Sequence, residues 1–396
     1  MSNYKDRLLL ILGNQLFDPA HLPAGADVLM VEDEQLCRRM PFHQQKLAFT
    51  LTAMRDHRDL LRAAGYRVHY HELNSGQGLA GNLARAAAGG ARELLYFHTD
   101  DPAMQQRLPS MAADAGLEAT ILSSPMFLTD VDELDDYFAR KPPRMAPFYR
   151  WQRKRLDLLL DQGRPLGGRW SFDTDNREPM PPDHRLPPAP QAARTANARD
   201  VISMVNREFS THPGCATGLW LPTNRAGALH WLDDFLTERL EGFGTYEDAI
   251  TTRSATVHHG VLSPLLNSGL LTPQEVINRA LEHDAPLNDL EGFLRQMVGW
   301  REFIRGIYRR HGACMRSRNV WDANRRLAPS WLKATTGIAP LDHAVGTAIN
   351  LGWNHHIERL MVIANLMNLC EIAPQDVYRF FMTHYVDAYD WVMVPN

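Results

Sequence analysis

The chain has 396 residues, 44% hydrophobic and 22% charged, proportions ordinary for a soluble globular protein and a length sufficient for two or three domains. Lys and Arg number 42 against 46 Asp and Glu, giving a net charge of −4, so bulk charge does not support nucleic-acid binding and a local basic groove would have to supply it. No apolar run approaches the roughly 18 residues that a membrane helix needs, and the N-terminus lacks a secretory pattern, so a cytoplasmic protein without membrane contact is expected. Four scattered cysteines (Cys37, Cys215, Cys314, Cys370) include no CxxC pair, which excludes a disulfide framework or a zinc pattern and leaves buried free thiols as the expectation.

Residues 1–126 alternate strand and helix patterns. Leu8–Leu12 is a continuous apolar run, as in a strand buried on both faces. Strands follow at Asp27–Val31, Tyr66–Tyr70, Glu93–Phe97 and Leu117–Leu122, separated by helices at Phe42–Ala64, Leu79–Ala88 and Pro102–Ala115. This order predicts an α/β domain with a doubly wound parallel sheet. Such sheets bind ligands beyond the carboxyl ends of their strands, here Gly13-Asn-Gln-Leu16, Glu32-Asp-Glu34 and His98-Thr-Asp-Asp101. No GxGxxG or GxxxxGK[ST] follows the first strand, which argues against a standard dinucleotide or P-loop site.

Residues 127–199 read as an interdomain connector over the surface, with helices at Asp130–Arg140 and Met145–Leu160 and a proline-rich run at Pro179–Pro190. Its cluster Tyr149-Arg-Trp-Gln-Arg-Lys-Arg155 interleaves aromatics with positive charge. It suits phosphate and base contact and equally suits the solvated face of a helix. Residues 200–396 read as helical throughout, a second, all-α domain.

Three segments of that domain carry polar groups in apolar surroundings. Ser263-Pro264 opens a helix, serine capping and proline at the first turn, and such a terminus attracts phosphate. Arg301 and Glu302 follow Trp300 in an apolar helix, as a structural ion pair or with Arg301 meeting an anionic ligand. Trp353-Asn-His-His-Ile-Glu-Arg-Leu-Met361 lies in an apolar-periodic run from about His343 to Cys370, where adjacent histidines on a helix point about 100° apart. Either imidazole could move a proton near neutral pH, or both could be core or capping groups. Adjacent histidines cannot chelate one metal as an i, i+4 pair does, and no HExxH occurs, so no metal site is expected.

Taken together, Leu12–Leu16, Leu51–Arg55, Gly167–Arg177, Leu262–Asn267 with Gly269–Leu271, Gly299–Gly306, His355–Met361 and Asp387–Asn396 resemble, in order and over nearly the whole chain, the photolyase/cryptochrome flavoproteins, most closely the prokaryotic 6-4 photolyases known as iron–sulfur bacterial photolyases. The resemblance implies an antenna-type α/β domain and a helical domain holding a U-shaped FAD. It implies that Tyr246, His259, Leu262 and Ser263 line the cofactor's phosphates, that Asn267 and Trp300 also bind the cofactor, that Arg301 approaches the flavin, that Asp387 and Asp390 lie near its ring or adenine, and that Asn396 faces flavin N5. His355 and His356 would meet the lesion, one as general acid, with the damaged dinucleotide flipped out of UV-damaged DNA. Arg150, Arg153 and Arg177 would contact the DNA. A lumazine antenna would sit near Gly13, Asn14 and Glu32. A monomer is expected.

The chain departs from the family pattern at several positions. Pro340 stands where a cluster cysteine is usual and the other three belong to an extension absent here, so no [4Fe–4S] cluster is expected. Relatives continue past Asn396, so one wall of the FAD site is expected to be missing. Phe380-Phe381 replaces an electron-passing Trp-Tyr pair, although Trp331 and Trp391 could contribute. Gly260 replaces a serine beside the phosphate-site histidine. The leading expectation is a light-dependent (6-4) photolyase-like repair flavoprotein, with a cryptochrome-like photoreceptor lacking repair, or a flavin-free relative, as alternatives.

Overall fold

The computed structural model describes residues 4–396, which group into two compact units. One gathers the described residues up to Phe127 with Ala192–Ala228 and Ser263–Thr272; the other gathers Leu128–Gln191, Leu229–Leu262 and Pro273–Asn396.

In the first unit five parallel strands run β1 (Arg7–Leu10), β2 (Asp27–Val31), β3 (Val68–His71), β4 (Glu93–Phe97) and β5 (Glu118–Leu122), in spatial order β3-β2-β1-β4-β5. Leu8, Leu9 and Leu10 are all within 1% of full burial, because helices cover both faces of the sheet and the apolar part of its central strand is interior. Leu8, Leu10, Leu94 and Tyr96 pack on Leu83 and Leu108 on one side. Strand order reverses between β1 and β4, where Gln15 Nε2 donates to the carbonyls of Phe97 (3.1 Å) and His98 (3.3 Å) and ties the two strand ends together.

The segments Ala192–Ala228 and Ser263–Thr272, mostly assigned on sequence to the helical domain, group here for identifiable reasons. Asp56, on the helix Gln44–Ala63, accepts from Asn197 Nδ2 (2.8 Å) and Thr223 Oγ1 (2.6 Å). Leu16 N donates to Ser268 O (2.9 Å), and Gly269 lies so close to Phe17 that a Cβ there would sit 2.8 Å from its ring, in a backbone with φ +83°. Only glycine meets both conditions.

The second unit is helical apart from a short hairpin, Leu160–Asp161 with Arg164–Pro165, that the sequence pattern did not announce. The helices Val131–Arg140 and Met145–Arg155 do not only wrap the surface; each buries one face in the core. Leu134, Phe138 and Phe148 pack with Phe303 and Ile307, and buried Glu302 accepts from the N–H groups of Leu128 (2.9 Å) and Thr129 (3.3 Å). Glu302 is thus spent on the backbone of the incoming chain. Arg305 Nη1 completes the tie on Thr129 O (2.7 Å). Among the described residues no helix is long and apolar enough to cross a membrane. The four cysteines form no disulfide; Cys215 and Cys314 are exposed, and Cys37 and Cys370 half-buried, which corrects the expectation of buried thiols.

Gly306 decides the closest helix contact in this unit. An added Cβ would lie 2.0 Å from the Phe138 ring, itself buried. Helix propensity alone favours alanine over glycine by about 1 kcal/mol, but overpacking a fixed ring costs roughly 1–3 kcal/mol and this approach is far inside contact distance. Gly306→Ala is therefore predicted to lower unfolding free energy by about 1–2 kcal/mol, read as a lower denaturant midpoint; an unchanged or raised midpoint would mean that Phe138 moves aside easily.

Candidate functional site

The expected continuous helix around the paired histidines is broken. Helix Ala339–Leu351 stops at Gly352, which adopts the left-handed conformation (φ 62°), the usual glycine stop. Trp353, Asn354 and His355 are non-helical, and the next helix begins at His356. The two imidazoles are therefore separated by a helix start rather than by 100° on one helix. His355 turns inward and is 1% exposed; His356 is exposed on the wall of a groove of about 390 Å³.

A polar network fixes this turn. Asn354 Nδ2 donates to Glu358 Oε2 (2.7 Å) and Ala344 O (3.1 Å), and Tyr385 Oη donates to Asn354 Oδ1 (2.8 Å). Arg359 donates through Nε to Asn354 O (2.8 Å) and grips Asp387 with both terminal nitrogens (2.9 and 3.1 Å). Its guanidinium lies 4.2 Å over the Tyr385 ring. A bidentate, half-buried pair of this kind is strong and directional. Burial raises the Glu358 carboxyl above its usual range.

The imidazole of His355 stacks on that of His259, with centroids 4.7 Å apart and planes 13° from parallel. Three buried ring nitrogens here, Nε2 of His259 and both nitrogens of His355, make no hydrogen bond within the protein. Buried polar atoms are rarely left so, and the site needs a partner from outside the chain. Burial, then the Arg359 charge and His356, lower His355 to about 3. Burial and the neighbouring histidines hold His259 well below the ordinary range. Desolvation and Arg359 lower His356 as well.

The backbone is strained or widened wherever it carries these groups. Val257 (φ 47°) and Val261 (φ 51°) flank His258–Gly260 in left-handed conformations, which β-branched residues seldom adopt and which cost about 1–3 kcal/mol each. Gly260 replaces the usual serine where a Cβ would meet Phe235 at 3.0 Å. Arg295–Arg301 and Glu358–Ala364 are π-helical turns, a geometry concentrated at functional sites. The first ends on Trp300 and Arg301. Trp300 meets His356 edge-on (centroids 5.8 Å), and the Arg301 guanidinium lies 4.8 Å over Trp391.

The expected site residues fare differently. His259 stacks on His355 and Trp300 meets His356, while Arg301 lies on Trp391, all within the second unit, which also holds buried Leu262 and half-buried Tyr246, the latter 4.5 Å from the His184 ring. Ser263 and Asn267 belong to the six-residue helix Ser263–Ser268 of the first unit. Asp387 is held by Arg359, and Asp390 by Arg316 (3.0 Å) and the Tyr378 hydroxyl; both carboxylates serve the protein itself. Asn396 is exposed and lines the groove.

Arg153 is corrected as a DNA contact. It is 1% exposed and donates to the carbonyls of Leu158, Trp170 and Leu159, leaving no face for a phosphate. Arg177 pairs with Asp173, Glu247 and Asp248, whereas Arg150 is exposed. In the first unit Gly13 and Asn14 are half-buried, but Glu32 is engaged throughout, accepting from Arg55, Tyr70 and Leu73 N. Its surroundings give it a structural role. Among the described residues no group of three or more His, Cys, Asp or Glu could hold a metal ion. Arg359, Asn354 and Glu358, which organise the turn, escaped the sequence reading; the i, i+4 spacing of Asn354 and Glu358 was the available signal.

The depressed histidines predict acid sensitivity. Below pH 6.5 the unfolded chain binds protons that folded His355 refuses until about pH 3, so stability is present above pH 6.5 and lost as pH falls, by about 1.4 kcal/mol per unit for this residue. Denaturant unfolding of His355→Phe between pH 7 and 4 should show a shallower decline than the wild-type chain. Identical slopes would mean that His355 is protonated in the fold.

Against this geometry stand the comparisons with known proteins. The family model described as "Deoxyribodipyrimidine photo-lyase-related protein" matches residues 9–220. The (6-4) photolyase of Agrobacterium fabrum is 32% identical over 405 residues, covering 98% of this chain and 80% of the relative. Among solved structures, a bacterial class III photolyase from Agrobacterium tumefaciens superposes with a TM-score of 0.68 at 19% identity, covering 99% of this chain and 78% of that one. An archaeal photolyase from Sulfolobus tokodaii, solved with two FAD molecules, gives 0.63 at 14% identity, with 98% and 81% covered. The family match over more than half the chain and the full-length relative agree with the parallel sheet and the helical unit: this chain belongs to the deoxyribodipyrimidine photo-lyase-related family.

Proposed function

We propose that the chain is a light-driven DNA-repair flavoprotein of the (6-4) photolyase type, binding FAD and acting on pyrimidine photoproducts in UV-damaged DNA. The observation that carries this reading is the stacked His259–His355 pair with its three unpartnered nitrogens, set beside a second histidine that faces open space. A ligand rich in donors and acceptors fits there, and FAD is such a ligand. His259 and His355 would hydrogen-bond it, with Trp300 and Arg301 completing the wall. FAD, when bound and reduced, supplies the photoexcited electron that opens the lesion. Every other step falls to the protein.

His356 has the acid–base role. In the unbound protein the crowded base of the groove and the Arg359 charge lower its pKa and favour the neutral ring, although one edge is exposed. Incoming phosphates add negative charge, which favours the imidazolium, so the acid forms where the substrate is. Its ring N–H then protonates the photoproduct, and the same nitrogen takes the proton back when the bases separate. Trp300, edge-on to this ring, holds its orientation. Phe380 and Phe381, packed against each other with centroids 5.5 Å apart, favour a second reading, a flavin photoreceptor without repair, because phenylalanine is a poor electron relay.

The test is direct. Purified protein should carry flavin absorbance and, illuminated with a reductant, should clear photoproducts from an oligonucleotide. His356→Ala should keep the flavin and lose repair by about 10²–10⁴-fold. Normal repair by that variant contradicts the proton-donor role, a yellow protein that leaves lesions untouched supports the receptor reading, and a colourless one removes both.

A further inference from the structure

The groove that exposes His356 has a second wall, built by the loop after helix Glu302–Ser317. Trp321 projects from it, 80% exposed. An indole left in water is unusual for a side chain of this size. The loop that carries it is cross-braced: Asn319 Nδ2 donates to Ala323 O (2.9 Å), Ala323 N donates back to Asn319 Oδ1 (3.0 Å), and Asn324 Nδ2 donates to Asp322 Oδ1 (2.8 Å). The loop backbone on either side of the indole is thus braced, so less of it has to be ordered on contact.

The surrounding sequence is rich in arginine although the whole chain is acidic. Residues 302–326 contain seven arginines (305, 309, 310, 316, 318, 325 and 326) against Glu302 and Asp322. Four of them pair with Asp135, Asp390, Glu371 and Asp376, and Arg305 is buried. Arg318 is exposed and shares the groove wall with Trp321. An exposed indole beside an arginine, in a groove that a histidine also lines, matches the chemistry of a single nucleic-acid strand, which offers π-faces and phosphates at alternating positions.

We propose that Trp321 stacks on a base of the bound DNA strand and that Arg318 meets a phosphate of that strand, making this loop the far wall of the substrate groove. The proposal deepens the repair reading and rests on it.

The test is dark binding of the full chain to a fluorescein-labelled duplex carrying one pyrimidine photoproduct, with an undamaged duplex alongside, followed by anisotropy. Trp321→Ala should weaken binding to the damaged duplex about tenfold and Trp321→Phe should restore most of it. Arg318→Ala should reduce the slope of log affinity against log salt by about one. Because Trp321 is exposed, both variants should keep the wild-type unfolding midpoint. If the wild-type chain does not prefer the damaged duplex, the repair reading fails and this proposal with it. If it does prefer it while Trp321→Ala binds equally well, this proposal alone is overturned. A dimer in light scattering that Trp321→Ala dissociates would assign the surface to a second copy and overturn it too.

Discussion

The bidentate grip of Arg359 on Asp387 is the interaction on which the second unit's polar centre depends. It crosses from the start of one π-helical turn to the segment after helix Pro374–His384, and it brings a full positive charge beside His355 and His356. With Asn354, Glu358 and Tyr385 it closes the turn that the left-handed Gly352 opens. Neither imidazole would have a defined direction without it. Burial disfavours protonation of both rings, and the same charge adds to it.

That centre is built against local preference. Two valines hold left-handed backbone, two helices widen into π-turns, and three imidazole nitrogens are buried without partners. Each feature destabilises the chain, and all of them converge on His259, Trp300, Arg301, His355 and His356. The first unit is quieter around Glu32, which sits among Arg55, Tyr70 and Leu73 N, although it too buries polar atoms without a hydrogen-bond partner, such as His57 Nε2 and Tyr96 Oη. A fold pays for strain only where something else compensates, and a bound ligand is the compensation this arrangement calls for.

Much of this was readable in the residues. The first strand came from an apolar run ending at Gly13, as a covered central strand demands, and the others from their alternation with helices. The histidine pair stood out through its neighbours, and the family followed from the order of motifs. What the sequence hid was local and physical. Periodicity ran unbroken through Gly352, since one left-handed residue leaves the apolar spacing intact while turning His355 inward. Arg153 looked like a surface cation within an aromatic-basic cluster, yet a bend after it offers three carbonyls that only a buried guanidinium reaches. Asp387 and Asp390 matched ligand positions, and nothing in their spacing revealed Arg359 and Arg316 as their partners.

The most direct measurement is nitrogen-15 NMR of the histidine rings before and after adding FAD. The account predicts that the ring-nitrogen signals of His259 and His355 shift when FAD binds, while those of His57, buried in the other unit, stay in place. Binding of FAD that leaves both His259 and His355 signals unmoved, or no binding at all, would contradict it.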